Sequence, residues 1–215
     1  APVVDMTEDE WDETLRVNLG SARALCAETA RRMVPRGRGA MVLVASTAGQ
    51  RGEGEHSHYA ATKGALIAFA RSLAKELGKF NVNVNAIAPG LVMTDMMESL
   101  APEFQATALA ETVLGRFATP EDCANLVEFL TSDFSRHITG EVIKIDGGEE
   151  SGSSSPLSSV ATAAPDPAPS SPASGNESLA ARAVRASRFS TRAALVAKRG
   201  SPGSSSRPSV AHSRA

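Results

Sequence analysis

Tyr59 and Lys63 lie four residues apart in the stretch "YAATKGA" (59–65), inside a segment patterned as a helix. That spacing puts the two side chains on one helix face, a single turn apart. A phenol titrates at about 10 in water, too high for ready proton exchange at neutrality. A neighbouring ammonium favours the phenolate and lowers that value by roughly 1–3 units. A tyrosine so placed can donate a proton to a carbonyl oxygen or accept one from an alcohol. Ser46, 13 residues earlier, closes an apolar run. At the carboxyl end of a buried parallel strand, its hydroxyl would reach the same oxygen. Asn18 precedes Tyr59 by 41 residues and falls in the first helical segment. Each has an ordinary explanation when read singly: a solvated helix pair, a strand-end hydroxyl bonded to local backbone, an amide in water.

The elements that must position these residues follow from pattern. Residues 7–33 read as one long helix, with Thr7 as N-cap, Glu8, Asp9 and Glu10 at its positive end and Arg31 and Arg32 at the other. Trp11, Leu15, Leu19, Ala22 and Cys26 recur at helical spacing, which predicts a buried stripe. "AMVLVAS" (40–46) is short, apolar and bounded by "PRGRG" and a Gly-rich loop, as a strand buried on both faces would be. A second long helix is predicted at 58–78, a strand at 82–88 ending at Pro89-Gly90, two short helices within 95–113, a helix at 119–131 behind the Thr119–Pro120 cap, and a strand at 141–145. Helices alternating with apolar strands define an α/β domain with a parallel sheet of three strands, over residues 1–150.

From Ser151 onward the composition changes: 18 Ser and 14 Ala in 65 residues, with recurrent Pro. Too few large apolar side chains remain there to offset the entropy of ordering, so 151–215 is expected to be a disordered tail. The net charge of −2 hides an uneven split, with 14 Lys/Arg against 22 Asp/Glu in residues 1–150 and 8 against 2 in the tail. An acidic body disfavours nucleic acid as a partner and accommodates a small-molecule site. Cys26 and Cys123 have no metal-ligand spacing and suggest a reducing compartment. No apolar window is long enough for a membrane span, and the expectation is a soluble, cytoplasmic protein with no metal.

"VNLGSA", "VLVASTAG" followed by "YAATKGA", "VNVNAIAPGLVMTDM" and "ITGEVIKIDGG" occur together and in this order over about residues 1–148. As a set they resemble the short-chain dehydrogenase/reductases, nearest to the 3-oxoacyl-[acyl-carrier-protein] reductase type. The resemblance implies hydride transfer between NADP or NAD and a carbonyl/alcohol substrate, 3-oxoacyl-like and in some members carrier-protein-bound. It places a catalytic tetrad on Asn18, Ser46, Tyr59 and Lys63. Tyr59 would exchange the proton, Ser46 would polarise the carbonyl, Lys63 would tune the tyrosine and hold the nicotinamide ribose, and Asn18 would anchor a water leading to Lys63. Pro89, Gly90, the Val92 main chain and Thr94 would hold the nicotinamide carboxamide. Family members associate through their two long helices, so a homo-oligomer is implied. Carrier-protein docking in that group uses basic residues on the rim. Arg36, Arg38 and Lys79 stand in the corresponding stretches, but Phe80 occupies a position where a basic residue is expected, and Glu53 and Glu55 add opposing charge.

A dinucleotide fingerprint would open a helix directly after a strand, and neither "GRG" (37–39) nor "GEG" (52–54) has that context. The family's fold would therefore be represented by its C-terminal part, an incomplete Rossmann-type doubly wound sheet. Strand 40–46 would then present an unpaired edge. A non-catalytic remnant, associating with full-length relatives through its helices, is the alternative reading. In the tail, residues 178–200 have arginines spaced for a basic amphipathic helix, set against chance periodicity in a Ser/Ala/Arg-rich segment.

Overall fold

The computed structural model describes residues 1–95, 97, 101–149 and 195–198. Thr7 caps α1 (Glu8–Leu15) with a full capping box: its hydroxyl takes the Glu10 amide while the Glu10 carboxylate takes the Thr7 amide. The helix continues through a π-helical turn (Arg16–Gly20) into α2 (Ser21–Met33). That turn re-phases the helix. From Thr14 to Cys26 the buried residues are Thr14, Asn18, Ala22 and Cys26, at a strict spacing of four. The expected stripe is thus corrected: Trp11 is 39% exposed, and Leu15 and Leu19 are only half-buried. Thr14 and Ser21 turn their hydroxyls onto the carbonyls of Glu10 and Val17, back-bonding of the kind that bends helices.

β1 (Gly39–Val44) leads through Ser46 into the single turn α3 (Ala48–Arg51), then α4 (Ser57–Leu77) and β2 (Val82–Pro89). Beyond β2 lie α5 (Pro102–Ala110), α6 (Pro120–Leu130) and β3 (Val142–Ile145). Thr119 and Pro120 start α6 as their residue types require, with a second capping box to Asp122. β1 pairs with β2 and β2 with β3, all parallel, as alternating helices and strands demand.

The sheet is covered on both faces. Met41 and Leu43 of β1 pack with Ala22 and Cys26 of α2 and Leu66, Ala70 and Leu73 of α4. Val42 and Val44 point the other way, onto Cys123, Val127 and Leu130 of α6. β1 is therefore apolar on both sides, as its uninterrupted composition predicts.

Two expectations are overturned. The sheet has a fourth strand, β4 (Leu195–Lys198), giving the order β3-β2-β1-β4, with β4 antiparallel to β1. The edge expected to lie open on β1 is occupied by the chain itself. Residues 195–198 are extended and paired with β1, so they do not end a basic helix. The remainder of the tail lies outside the described residues.

Candidate active site

The carboxyl ends of β1 and β2 bring together most of the residues singled out above. Thr47 donates its amide to the Pro89 carbonyl at 3.1 Å, and Ala45 donates to Ile87 at 2.8 Å, so the chain around Ser46 is stapled to the Pro89-Gly90 turn. Gly90 in turn donates to Ile145 of β3 at 3.0 Å. An alanine at 90 would bring its Cβ to 2.9 Å from Asp146 Cβ and from the Glu149 carboxylate, so only glycine admits this close approach. Ser46 is buried, and its Oγ accepts the Ala48 amide at 3.2 Å, which orients the hydroxyl at the start of α3.

Tyr59 sits half-buried in the first turn of α4, and Lys63 one turn later is 1% exposed. The Lys63 ammonium lies 5.5 Å from the centroid of the Tyr59 ring and donates to the Val44 carbonyl at 3.0 Å. A long cationic side chain is buried here because α3 packs almost onto the backbone of α4. A Cβ on Gly49 would stand 2.5 Å from the Lys63 carbonyl carbon, and one on Gly64 would stand 3.1 Å from the Gly49 oxygen. Two facing glycines thus wall in Lys63. Sequence inspection missed Gly49; its spacing from Lys63 carries no signal without knowledge that α3 folds back.

Asn18 is fully buried in the π-helical turn, not in solvent. Its amide donates to Thr62 Oγ1 at 3.0 Å, and that hydroxyl donates to the Tyr59 carbonyl at 2.7 Å. The structure therefore ties Asn18 to the tyrosine's helix through Thr62, another residue not identified beforehand. Asn18 Oδ1 is buried with no hydrogen-bond partner. π-helical turns of this kind concentrate at functional sites, where they turn a chosen side chain inward.

Val92 and Thr94 are both buried beyond the Pro89-Gly90 turn; Val92 bridges to Ala118, and Met93 donates to the same Ala118 at 2.7 Å. On the far side, Arg51 at the end of α3 pairs with Glu149 at 2.5 Å, with side-chain exposures of 26% and 4%. Glu149 Oε2 has no hydrogen-bond partner. This pair joins the loop after β1 to the turn after β3 and was not anticipated from the sequence, being separated by 98 positions. His58, beside Tyr59, is held below the usual imidazole range chiefly by burial, then by the Ala1 amine and His56. The described residues contain no cluster of three or more metal-ligating side chains and no helix long and apolar enough to cross a membrane.

A family model described as enoyl-(acyl carrier protein) reductase matches residues 1–150. The chain is 40% identical over 148 residues to the 3-oxoacyl-[acyl-carrier-protein] reductase FabG of Chlamydia trachomatis, covering 69% of this chain and 60% of that protein. It is 42% identical over 139 residues to the same-named protein of Aquifex aeolicus, covering 65% and 56%. Among solved structures, 3-oxoacyl-[acyl-carrier protein] reductase from Brucella melitensis superposes with a TM-score of 0.65 at 37% identity, over 69% of this chain and 56% of that one. A 4-hydroxyisoleucine dehydrogenase complexed with NADH superposes with a TM-score of 0.64 at 33% identity, over 71% and 65%. The chain belongs to the short-chain dehydrogenase/reductase family and resembles the 3-oxoacyl-[acyl-carrier-protein] reductases within it. It spans about 60% of the length of the first of these curated relatives.

Proposed function

We propose that this chain carries the proton-transfer half of a short-chain oxidoreductase site, acting on a carbonyl/alcohol pair with a 3-oxoacyl-like substrate. The observation that carries the reading is the buried Lys63 ammonium, 5.5 Å from the Tyr59 ring and bonded to the Val44 carbonyl two residues before Ser46. Tyr59 gives its phenolic proton to the carbonyl oxygen as negative charge develops there, or takes it back from the alcohol. The Ser46 hydroxyl donates to the same oxygen. Lys63 stabilises the phenolate left behind, a role suited to an ammonium held in a low-dielectric site. Asn18 leaves one acceptor, Oδ1, for a water that would carry protons onward.

The residues present fit the nicotinamide end of NADP or NAD. Gly90 admits the backbone close to a ligand, and Val92, Thr94, Tyr59 and Lys63 line the same end of the sheet. When bound, that group supplies or accepts the hydride at the carbonyl carbon. Among the described residues no glycine-rich turn links a strand to a helix in the manner that holds a pyrophosphate. Saturation-transfer NMR with NADPH tests the reading: signal on the nicotinamide protons, weak signal on adenine, and loss of both ketone turnover and nicotinamide signal in Lys63→Met are expected. Equal transfer to both ends, or none, would refute it.

A second reading, helix-mediated association with relatives, draws on Trp11 and Leu25, which lie 39% and 48% exposed on α1 and α2. Native mass measurement of the chain mixed with a full-length relative distinguishes the two.

A further inference from the structure

Arg51 belongs to the segment after β1 and Glu149 to the turn after β3, and in the order β3-β2-β1 the strand between them is β2. Their ion pair at 2.5 Å therefore spans the carboxyl end of β2, the place where open parallel sheets take ligands. Gly90 marks the crossing: a Cβ there would stand 2.9 Å from Glu149 Oε2. Both ends of the bridge fall within the stretch that matches the family. We propose that Arg51 is a carboxylate anchor, aimed by Glu149, and that it selects a small oxo or hydroxy acid over the neutral ester or thioester; this rests on the proton-transfer role given to Tyr59 and Lys63.

Burial divides the work between the two side chains. Glu149 is 4% exposed and Arg51 26%. A carboxylate so far from water keeps its charge only beside a cation, so Glu149 holds Arg51 as firmly as Arg51 holds it. The backbone beneath each is fixed. Glu149 donates its amide to the Asp146 carbonyl at 3.2 Å, and Asp146 Oδ1 takes the Gly148 amide at 3.2 Å. Arg51 donates its amide to the Thr47 carbonyl at 3.1 Å, at the end of the turn that Gly49 seats on α4. The long Arg51 side chain thus loses its rotamer freedom on folding and has less to lose when a ligand arrives.

The guanidinium decides the ligand. Glu149 Oε1 accepts from Arg51 Nη2. Nη2 lends one N–H to each fork of a guanidinium, so one fork stays whole whichever hydrogen Glu149 takes. The two oxygens of a carboxylate match a whole fork, each accepting one N–H. An ester or thioester presents a single carbonyl oxygen and leaves half the fork unused. The other carboxylate of the turn does not compete for it: Asp146 Oδ2 is paired with Lys144 at 3.0 Å. Lys63 cannot serve instead, because its ammonium is buried and given to the Val44 carbonyl.

3-Hydroxybutyrate and its methyl ester differ at that carboxylate, and neither has to turn over to be observed. Each is titrated into the full chain, alone and with NADP, and followed by NMR at the Arg51 Nε–H, the Gly90 amide and the Tyr59 ring carbons. The acid should bind ~10-fold or more tightly than the ester and move all three signals. Arg51→Lys keeps a cation opposite Glu149 and loses the fork, so it should bring the acid down to the ester's affinity and leave the ester's affinity unchanged. Equal binding of acid and ester by the parent chain would overturn the proposal, and a Tyr59 response in that case would leave the proton-transfer reading standing. Full preference for the acid in Arg51→Lys would overturn it too, as would no binding of either compound. An acid that moves Arg51 and Gly90 but not Tyr59 would uphold the anchor and refute the proton-transfer reading.

Discussion

Gly49→Ala tests how the lysine is held in place. A Cβ at 49 would stand 2.5 Å from the Lys63 carbonyl carbon, 2.6 Å from the Gly64 nitrogen and 2.8 Å from Lys63 Cβ, where ordinary contact begins at 3.4 Å. The two elements must separate by about 0.9 Å, and what obstructs is α4 backbone, which cannot swing aside as a side-chain tip does. Overpacking of this kind costs about 1–3 kcal/mol, and the backbone obstacle argues for the upper part of that range. Alanine recovers about 1 kcal/mol through helix propensity, leaving a net loss of about 1–2 kcal/mol. With a urea dependence of about 1.5–2 kcal/mol per molar for a domain of this size, the unfolding midpoint should fall by about 0.5–1.3 M. Gly78→Ala is the control. Its backbone φ is −56° and a Cβ there meets nothing within 4 Å, so that variant should equal or slightly exceed the parent. If Gly49→Ala were as stable as Gly78→Ala, α3 would not be seated on α4 as described, and the account of Lys63 burial would fail.

Three other outcomes follow from the geometry. Thr62→Val should destabilise by about 1–3 kcal/mol in thermal unfolding, because the Asn18 amide keeps its burial and loses its acceptor; Thr62→Ser should restore most of that. Arg51→Ala should cost about 1–3 kcal/mol by leaving Glu149 buried without its cation, and Arg51→Ala combined with Glu149→Gln should cost less than Arg51→Ala alone. Burial pushes the Cys26 thiol up from 9.0 to about 11. The unfolded chain therefore loses that proton first, and stability should fall by about 1.4 kcal/mol per pH unit as pH rises between those two values, with Cys26→Ser removing the slope in denaturant titrations.

The sequence made the site's members legible and left its supports hidden. Tyr59 and Lys63 are readable because a helix converts a spacing of four into a shared face, and Ser46 because a short apolar run ends on it. The same logic failed on the first helix. Periodicity at 3.6 residues put Trp11 and Leu15 inside, whereas Thr14 of α1 and Asn18 of the π-helical turn are buried instead. A polar residue on the inward stripe looks like an error in a helical pattern, and only the partners Thr62 and Glu10 explain it. Arg51–Glu149 and β1–β4 depend on chain segments that meet only after folding, and no local pattern announces either.

The positions of these supports bear on what the chain can do without further sheet. Ser46, Tyr59, Lys63, Pro89 and Gly90 all come from one β-α-β unit, and the bonds that fix them run within it: Thr47 to Pro89, Lys63 to Val44, α3 onto α4. Asn18 alone enters from another element, and it does so through a hydrogen bond to Thr62 of that same unit. The geometry proposed for proton transfer is thus local, whereas holding a dinucleotide along its length requires a phosphate turn on a separate strand. The two capacities should separate experimentally. If exchange protection at Val44 and the chemical shift of the Tyr59 ring carbons respond to Lys63→Met in this chain as the lysine–tyrosine geometry requires, the catalytic unit is preformed. If Tyr59 is insensitive to that substitution, its surroundings depend on structure outside this unit, and the locality argued here is wrong.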